Sequence, residues 1–323
     1  MQQNALMTVR VTERRAEADD ICTFELRDPD GGLLPPFGAG AHIDVHVAPG
    51  LTRQYSLCNA PCERERYLIG VLRESASRGG SRGMHDDVKQ GSLLRISAPR
   101  NHFPLVAARK TLLFAGGIGI TPLISMAEQL SSEPSEFALH YCVRSLSRAA
   151  FHDRIAAARY RQSVSLHADD APGTRFDAAA ILAAADPDTH LYVCGPAGFV
   201  AHITGAARDA GLPAEQVHVE YFAPPALSVG PRAPDAGFEV RIASSGRRFP
   251  VGAGQSIVEA LADGGVDIPV SCKEGVCGTC LTRVLDGEIE HRDYYLSETE
   301  RARHDQFLPC CSRAKSAVLV LDL

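Results

Sequence analysis

Two rhythms of apolar residues run along this chain, and they change where the architecture should change. From Val9 to about Leu105 the apolar runs are short and strand-like, as in Ile21-Cys22-Thr23-Phe24-Glu25-Leu26, His42 to Val47 and Tyr67 to Leu72. Turns such as Asp30-Gly31-Gly32 and Pro35-Pro36-Phe37-Gly38 separate them, so this part predicts a small antiparallel β-barrel. From Lys110 apolar strands alternate with helical runs: strand Thr111 to Ala115, helix Pro122 to Leu130, then strands Phe137 to Val143 and His190 to Cys194. That alternation predicts a parallel sheet with helices on both faces. Ala223 to Ala236 carries four prolines and little periodicity, which reads as a linker. Beyond it, Phe238 to Ile242 and Arg248 to Val251 predict a hairpin, and Ser256 to Asp263 a helix. The expected divisions are 1–105, 106–224, a linker at 225–236, and 237–323. There is no internal repeat.

Length and composition fit this division. A chain of 323 residues exceeds one ordinary core, and 45% hydrophobic with 22% charged residues is a globular balance. The first twenty residues hold Arg10, Glu13, Arg14 and Arg15 and no apolar run, and no stretch is long enough to span a bilayer. A cytoplasmic protein with no membrane partner is expected. A net charge of −6 leaves no electrostatic footprint for a nucleic acid. From Ala233 onward there are 10 Lys and Arg against 14 Asp and Glu, an acidic balance suited to a basic docking surface or to plain solvation.

The ten cysteines change the picture most. Cys272, Cys277 and Cys280 stand as C-x4-C-x2-C, and Cys310 follows after 29 intervening residues, the ligand spacing of a plant-type [2Fe-2S] cluster. Structural zinc sites usually present two close cysteine pairs, whereas here three ligands share one nine-residue loop. Gly275 and Gly278 should let that loop take positive φ and turn amides toward the sulfurs. Cys311 adjoins Cys310 and competes for the fourth position. Cys22, Cys58, Cys62 and Cys142 read as ordinary thiols.

Two further sets of motifs carry chemistry. Arg53-Gln54-Tyr55-Ser56-Leu57 offers a cation and a hydroxyl for a phosphate and a ring for a planar cofactor, although alone it would be an ordinary strand. Arg78-Gly79-Gly80-Ser81-Arg82-Gly83 adds a turn able to cradle a phosphate, and together the two point to a flavin. Gly116-Gly117-Ile118-Gly119-Ile120-Thr121-Pro122 follows a strand and opens a helix, as a pyrophosphate site requires. Cys194-Gly195-Pro196-Ala197-Gly198-Phe199 repeats that logic at a later strand end, where ligands of such sheets bind. A nicotinamide donor delivers two electrons as hydride and the cluster accepts one, so a flavin between them would reconcile the count. None of the 12 histidines is assigned as a general base.

Read in order, these motifs resemble the ferredoxin-NADP reductase superfamily with a fused ferredoxin. With the ferredoxin last, with Pro99-Arg100-Asn101-x-Phe103, and with Cys310-Cys311-Ser312-Arg313-Ala314-Lys315-Ser316, the chain is similar to the phthalate dioxygenase reductase and vanillate O-demethylase reductase branch. The resemblance implies a multidomain fold: a flavin β-barrel, an α/β nucleotide domain and an α+β (β-grasp) ferredoxin domain. It implies FMN, with FAD the alternative, at Arg53, Gln54, Tyr55, Ser56, Val71, Leu72, Gly80, Ser81 and Arg82. It implies NADH, with NADPH the alternative, at Gly116, Gly117, Gly119, Thr121, Pro122, Cys194, Gly195 and Pro196, with Asp170 on the adenosine ribose and Asp169 its rival. Thr121, Cys194 and Phe222 border the reacting rings, and Cys310 rather than Cys311 completes the cluster with Cys272, Cys277 and Cys280. The implied activity is electron supply to a terminal oxygenase of Rieske type in aromatic catabolism, from a monomer. Lys273, Glu274 and Val276 would face that partner. The alternatives are a reductase for a cytochrome P450 or other hydroxylase, and a redox-sensing protein.

Overall fold

The computed structural model describes residues 6–75, 77–171, 176–224 and 236–323, so the expected linker lies, except for Ala236, outside the described residues. The chain divides into two compact units, Met1–Phe222 and Ala223–Leu323. Among the described residues no helix is long and apolar enough to cross a membrane.

The first unit opens with six antiparallel strands: β1 (Met7–Ala18), β2 (Ile21–Arg27), β3 (His42–Ala48), β4 (Leu51–Ser56), β5 (Tyr67–Leu72) and β6 (Leu93–Ile96). Their order is β4-β3-β6-β1-β2-β5, and an antiparallel bridge from Leu57 to Ile69 joins the two outer strands and closes the barrel. Alternate residues such as Val9 and Val11, Phe24 and Leu26, and Ile43 and Val45 fill its interior. A short helix, α1 (Gly80–Asp86), lies between β5 and β6 in sequence.

The rest of this unit alternates strand and helix: β7 (Lys110–Gly116), α2 (Ile120–Leu130), β8 (Glu136–Val143), α3 (His152–Ala157), β9 (Val164–Ala168), α4 (Ala178–Ala183), β10 (Thr189–Cys194), α5 (Ala197–Asp209) and β11 (Val217–Glu220). The strands are parallel in the order β11-β10-β7-β8-β9. Central β7 is apolar on both faces because each face meets a different core. Leu113 and Ala115 pack with α2, whereas Leu112 and Phe114 pack with α4 and α5. The order reverses between β7 and β10, which puts a topological switch point at their C-terminal ends. Helix α2 begins at Ile120, two residues before the expected Pro122, and this proline sits in the first turn, where no amide hydrogen is required.

The second unit is a mixed sheet around one helix. It comprises β12 (Phe238–Ile242), β13 (Arg248–Val251), α6 (Ile257–Asp263), β14 (Thr282–Asp286), β15 (Ile289–Glu290), α7 (Glu298–Ala302), β16 (Gln306–Phe307), β17 (Arg313–Ala314) and β18 (Val318–Leu321). The strand order is β13-β12-β18-β14-β16, with β12 and β18 parallel and β15 paired with β17. Ser256 and Glu259 form a capping box that starts α6, whose Ile257, Ala260 and Leu261 fill the core.

Candidate functional site

At the switch point two glycine turns lie against each other. A Cβ on Gly119 would come within 2.2 Å of the Cys194 carbonyl oxygen, and one on Gly195 within 2.9 Å of the Gly116 Cα. Only residues without side chains let the ends of β7 and β10 come this close. Thr121 is buried at the start of α2, its hydroxyl donating to the Ile118 carbonyl at 3.0 Å. A Cβ on Gly70 of β5 would sit 3.0 Å from its methyl group. The barrel wall near Val71 and Leu72 therefore stands beside the nucleotide-type turn.

Cys194 ends β10, fully buried, and is the register partner of Glu220 at the end of β11. Burial, and then the nearby Glu220 carboxyl, push this thiol well above its ordinary range. Glu220 belongs to the Glu220-Tyr221-Phe222 stretch, where the family resemblance implies a glutamate and an aromatic near the flavin. As a residue it is only half-buried, yet its Oε2 is buried without a hydrogen-bond partner among the described residues. Burial raises its carboxyl to about 8, against the lowering effect of a hydrogen bond with Ser56. The barrel thus contributes Ser56, and the sheet Cys194 and Glu220, to one buried polar spot. Phe222, two residues on, is 43% exposed.

The flavin candidates fall into two groups. Arg53 lies on α1, where a Cβ on Gly80 would be 2.4 Å from its Cγ, and its guanidinium donates to the carbonyls of Thr52 at 2.8 Å and Arg78 at 3.4 Å. Ser81 accepts from the Glu74 amide at 3.1 Å and donates to Ser77, whose hydroxyl also accepts from the Arg82 amide at 3.4 Å. This gathers Arg53, Gly80, Ser81 and Arg82 into one cationic turn fit for a phosphate. The Tyr55 hydroxyl is buried with no partner among the described residues, an orphan polar atom that a bound ligand would satisfy. Gln54 is engaged within the protein, its amide 3.1 Å from the ring of His42. Asp169 and Asp170 are both exposed just past β9, at the same sheet edge as the two turns.

In the second unit the cysteine loop has positive φ at Lys273 (59°), Gly275 (75°) and Gly278 (68°). The Glu274 amide donates to Cys272 Sγ at 3.3 Å, and Cys277 Sγ lies 3.3 Å from the Thr279 hydroxyl. The thiols interact as two neighbouring pairs, Cys272 with Cys277 and Cys280 with Cys310, each interaction holding one thiol of the pair above its ordinary range. Two pairs suit a centre in which each of two irons takes two protein thiolates. Cys311 lies against Gly275, where an added Cβ would be 2.6 Å from its sulfur, and its thiol also interacts with that of Cys310, which lowers it.

Residues 240–315 match the 2Fe-2S iron-sulfur cluster binding domain family. The chain is 53% identical over 315 residues to a vanillate O-demethylase oxidoreductase of Pseudomonas putida, covering 97% of this chain and 98% of that one. The solved phthalate dioxygenase reductase, described as a modular structure for electron transfer from pyridine nucleotides to [2Fe-2S], is 40% identical, with a TM-score of 0.73 over 100% of this chain and 99% of that one. An intact type IV self-sufficient cytochrome P450 monooxygenase matches at 39% identity and a TM-score of 0.87, over 98% of this chain and 41% of the longer one.

Proposed function

Since the chain belongs to the family of vanillate O-demethylase oxidoreductase and phthalate dioxygenase reductase, we propose that it carries electrons from NADH through FMN and a [2Fe-2S] centre to a Rieske-type terminal oxygenase. In this reading the barrel, residues 1–105, holds the flavin, residues 106–224 take the nucleotide, and residues 237–323 hold the cluster. The observation that carries it is the meeting of Ser56, Cys194 and Glu220 beside the paired glycine turns, in a chain that also presents four cluster cysteines.

Bound at the barrel, FMN supplies the capacity to accept two electrons as hydride and release them singly. Arg53, Gly80, Ser81 and Arg82 would hold its phosphate, and Tyr55, Gln54 and Leu72 would lie beside its ring, with Val71, whose side chain fills the barrel core, offering only backbone there. Gly116, Gly117, Gly119, Thr121 and Pro122 receive the dinucleotide with Gly195 and Pro196, and the Asp170 carboxylate accepts from a ribose hydroxyl. Thr121, Cys194 and Phe222 border the place where the two rings meet. NADH oxidised to NAD⁺ with two electrons sent onward leaves one proton to discard. Glu220, protonated up to about pH 8 and hydrogen-bonded to Ser56, is placed to give up its own proton and take that one in its place, a relay that returns the carboxyl to its starting state. Cys272, Cys277, Cys280 and Cys310 bind the irons, and Lys273, Glu274 and Val276 face the partner.

A second reading, delivery to a cytochrome P450, draws support from the match to the self-sufficient monooxygenase. Anaerobic titration of the purified holoprotein with NADH, followed by cofactor extraction, tests the shared path. Flavin and cluster absorption should both bleach, and extraction should release FMN. Absorption that neither NADH nor NADPH bleaches would overturn the proposal. Turnover with a purified Rieske oxygenase, set against turnover with a P450, then decides the acceptor.

A further inference from the structure

The segment His291–Leu296 is built against the cysteine loop. The Tyr294 amide donates to the Gly275 carbonyl at 2.9 Å. A Cβ on Gly275 would come within 2.9 Å of the Asp293 Cα, and one on Gly278 within 2.4 Å of the Tyr295 ring. Within this segment the Asp293 carboxylate has no solvent exposure at all. It accepts from the Leu296 amide at 2.8 Å and from the Ser312 hydroxyl at 3.4 Å, and lies 3.3 Å from His291 Nδ1. Ser312 follows Cys310 by two positions and also accepts from the Arg292 amide at 3.1 Å. Asp293 therefore touches both stretches of chain that carry cluster cysteines.

One cation faces it from α7. Arg301 donates to the Asp293 carbonyl and holds its guanidinium 3.8 Å from the carboxylate. The two charges are not equally screened, because the Arg301 side chain is 34% exposed and the Asp293 side chain is 0% exposed. A dry charge acts on its neighbours far more strongly than a wetted one. Beside it, burial holds the His291 imidazole below its ordinary range, against the raising effect of the Asp293 carboxylate.

We propose that Asp293 sets the reduction potential of the iron–sulfur centre from behind its loop, its buried carboxylate disfavouring the added electron while Arg301 opposes it. Asp293 is thus a positioning and redox-setting residue, acting through the loop and Ser312 without contacting iron. This rests on the cysteine set holding a [2Fe-2S] cluster.

The test is a spectroelectrochemical titration of the holoprotein, with the cluster followed by electron paramagnetic resonance and iron and acid-labile sulfide measured first. Asp293→Asn keeps the shape and removes the charge. It should raise the cluster midpoint potential by about tenfold in the one-electron equilibrium, about 59 mV, and leave the flavin potential unmoved. Arg301→Gln should shift the cluster the other way. Intact clusters with wild-type potentials in both variants, or shifts of the same sign, would overturn the assignment. If Asp293→Asn fails to assemble a cluster, Arg301→Gln decides alone: a downward shift supports the role and an unmoved potential removes it. Wild-type holoprotein without iron would instead sink the cluster reading on which this one stands.

Discussion

Single residues carry chemistry here according to what packs over them, which is why some were legible in the chain and others were not. The four cysteines announce themselves by spacing, since three must share one short loop for their sulfurs to meet. Glu220 is legible only through the resemblance that implies a glutamate and an aromatic at Glu220-Tyr221-Phe222; by itself a glutamate at the end of a strand is unremarkable until Ser56 from a distant barrel strand is laid beside it. Its burial has a measurable consequence. Below its ordinary value of 4.5 the carboxyl is protonated in both folded and unfolded chains, so burial has no effect on pH dependence. Between 4.5 and about 8 the folded protein keeps a proton that the unfolded chain has lost, and stability falls as pH rises. Glu220→Gln, which mimics the protonated form, should therefore match the wild type in acid and gain several degrees in Tm over it by about pH 8.5, read by thermal melts across the range. The same variant should slow cluster reduction by NADH at least severalfold, since the amide cannot give up one proton and take another in its place. A gap in Tm that does not grow with pH would show that the carboxyl is not held protonated.

Elements were more legible than residues, with failures that have physical reasons. Strand β7 reads as continuously apolar because both of its faces are covered, and α5 and α6 follow their periodicity. The start of α2 was misplaced at its proline, because a proline is equally at home in the first turn or as its first residue. The two-residue strands β15 and β17 hold too few positions to show any alternation. What sequence pattern conveyed least is how close two loops come. Gly116-Gly117-Ile118-Gly119 looks like a phosphate turn, but the demand at Gly119 comes from the Cys194 carbonyl, 2.2 Å from where a Cβ would stand. Gly119→Ala must push the ends of β7 and β10 apart, destabilising the protein by about 1–3 kcal/mol and raising the KM for NADH at least tenfold. Gly205→Ala, on α5 with nothing within 4 Å of its added carbon, should stabilise by roughly 0.5–1 kcal/mol and leave KM unchanged. Thermal melts and steady-state dye reduction read both, and equal effects at the two positions would show that the contact between the turns does not matter.

At the scale of the whole molecule the chain is two units, and in the proposed reading the chemistry divides in the same place. Barrel and parallel sheet share an apolar seam in which Ile21, Ala39, Cys58 and Phe103 pack with Leu113, Ile120 and Ile124, so hydride donor and flavin would be held within one compact unit. The second unit has its own core, with Phe238, Val240, Leu261, Phe307 and Leu319 buried together, as independent folding requires. Joining them in one chain leaves electron transfer between the units independent of protein concentration. Fragments 1–224 and 236–323 should each fold, the first with flavin reducible by NADH at close to the intact rate and the second with a cluster. Mixed at micromolar concentration, they should reduce the cluster roughly a hundredfold more slowly than the intact chain, at a rate that rises with fragment concentration. Stopped-flow absorbance separates the two steps. If fragment 1–224 binds flavin yet NADH no longer reduces it, the nucleotide and flavin sites are not confined to the first unit, and the division of labour argued from Ser56, Cys194 and Glu220 is wrong.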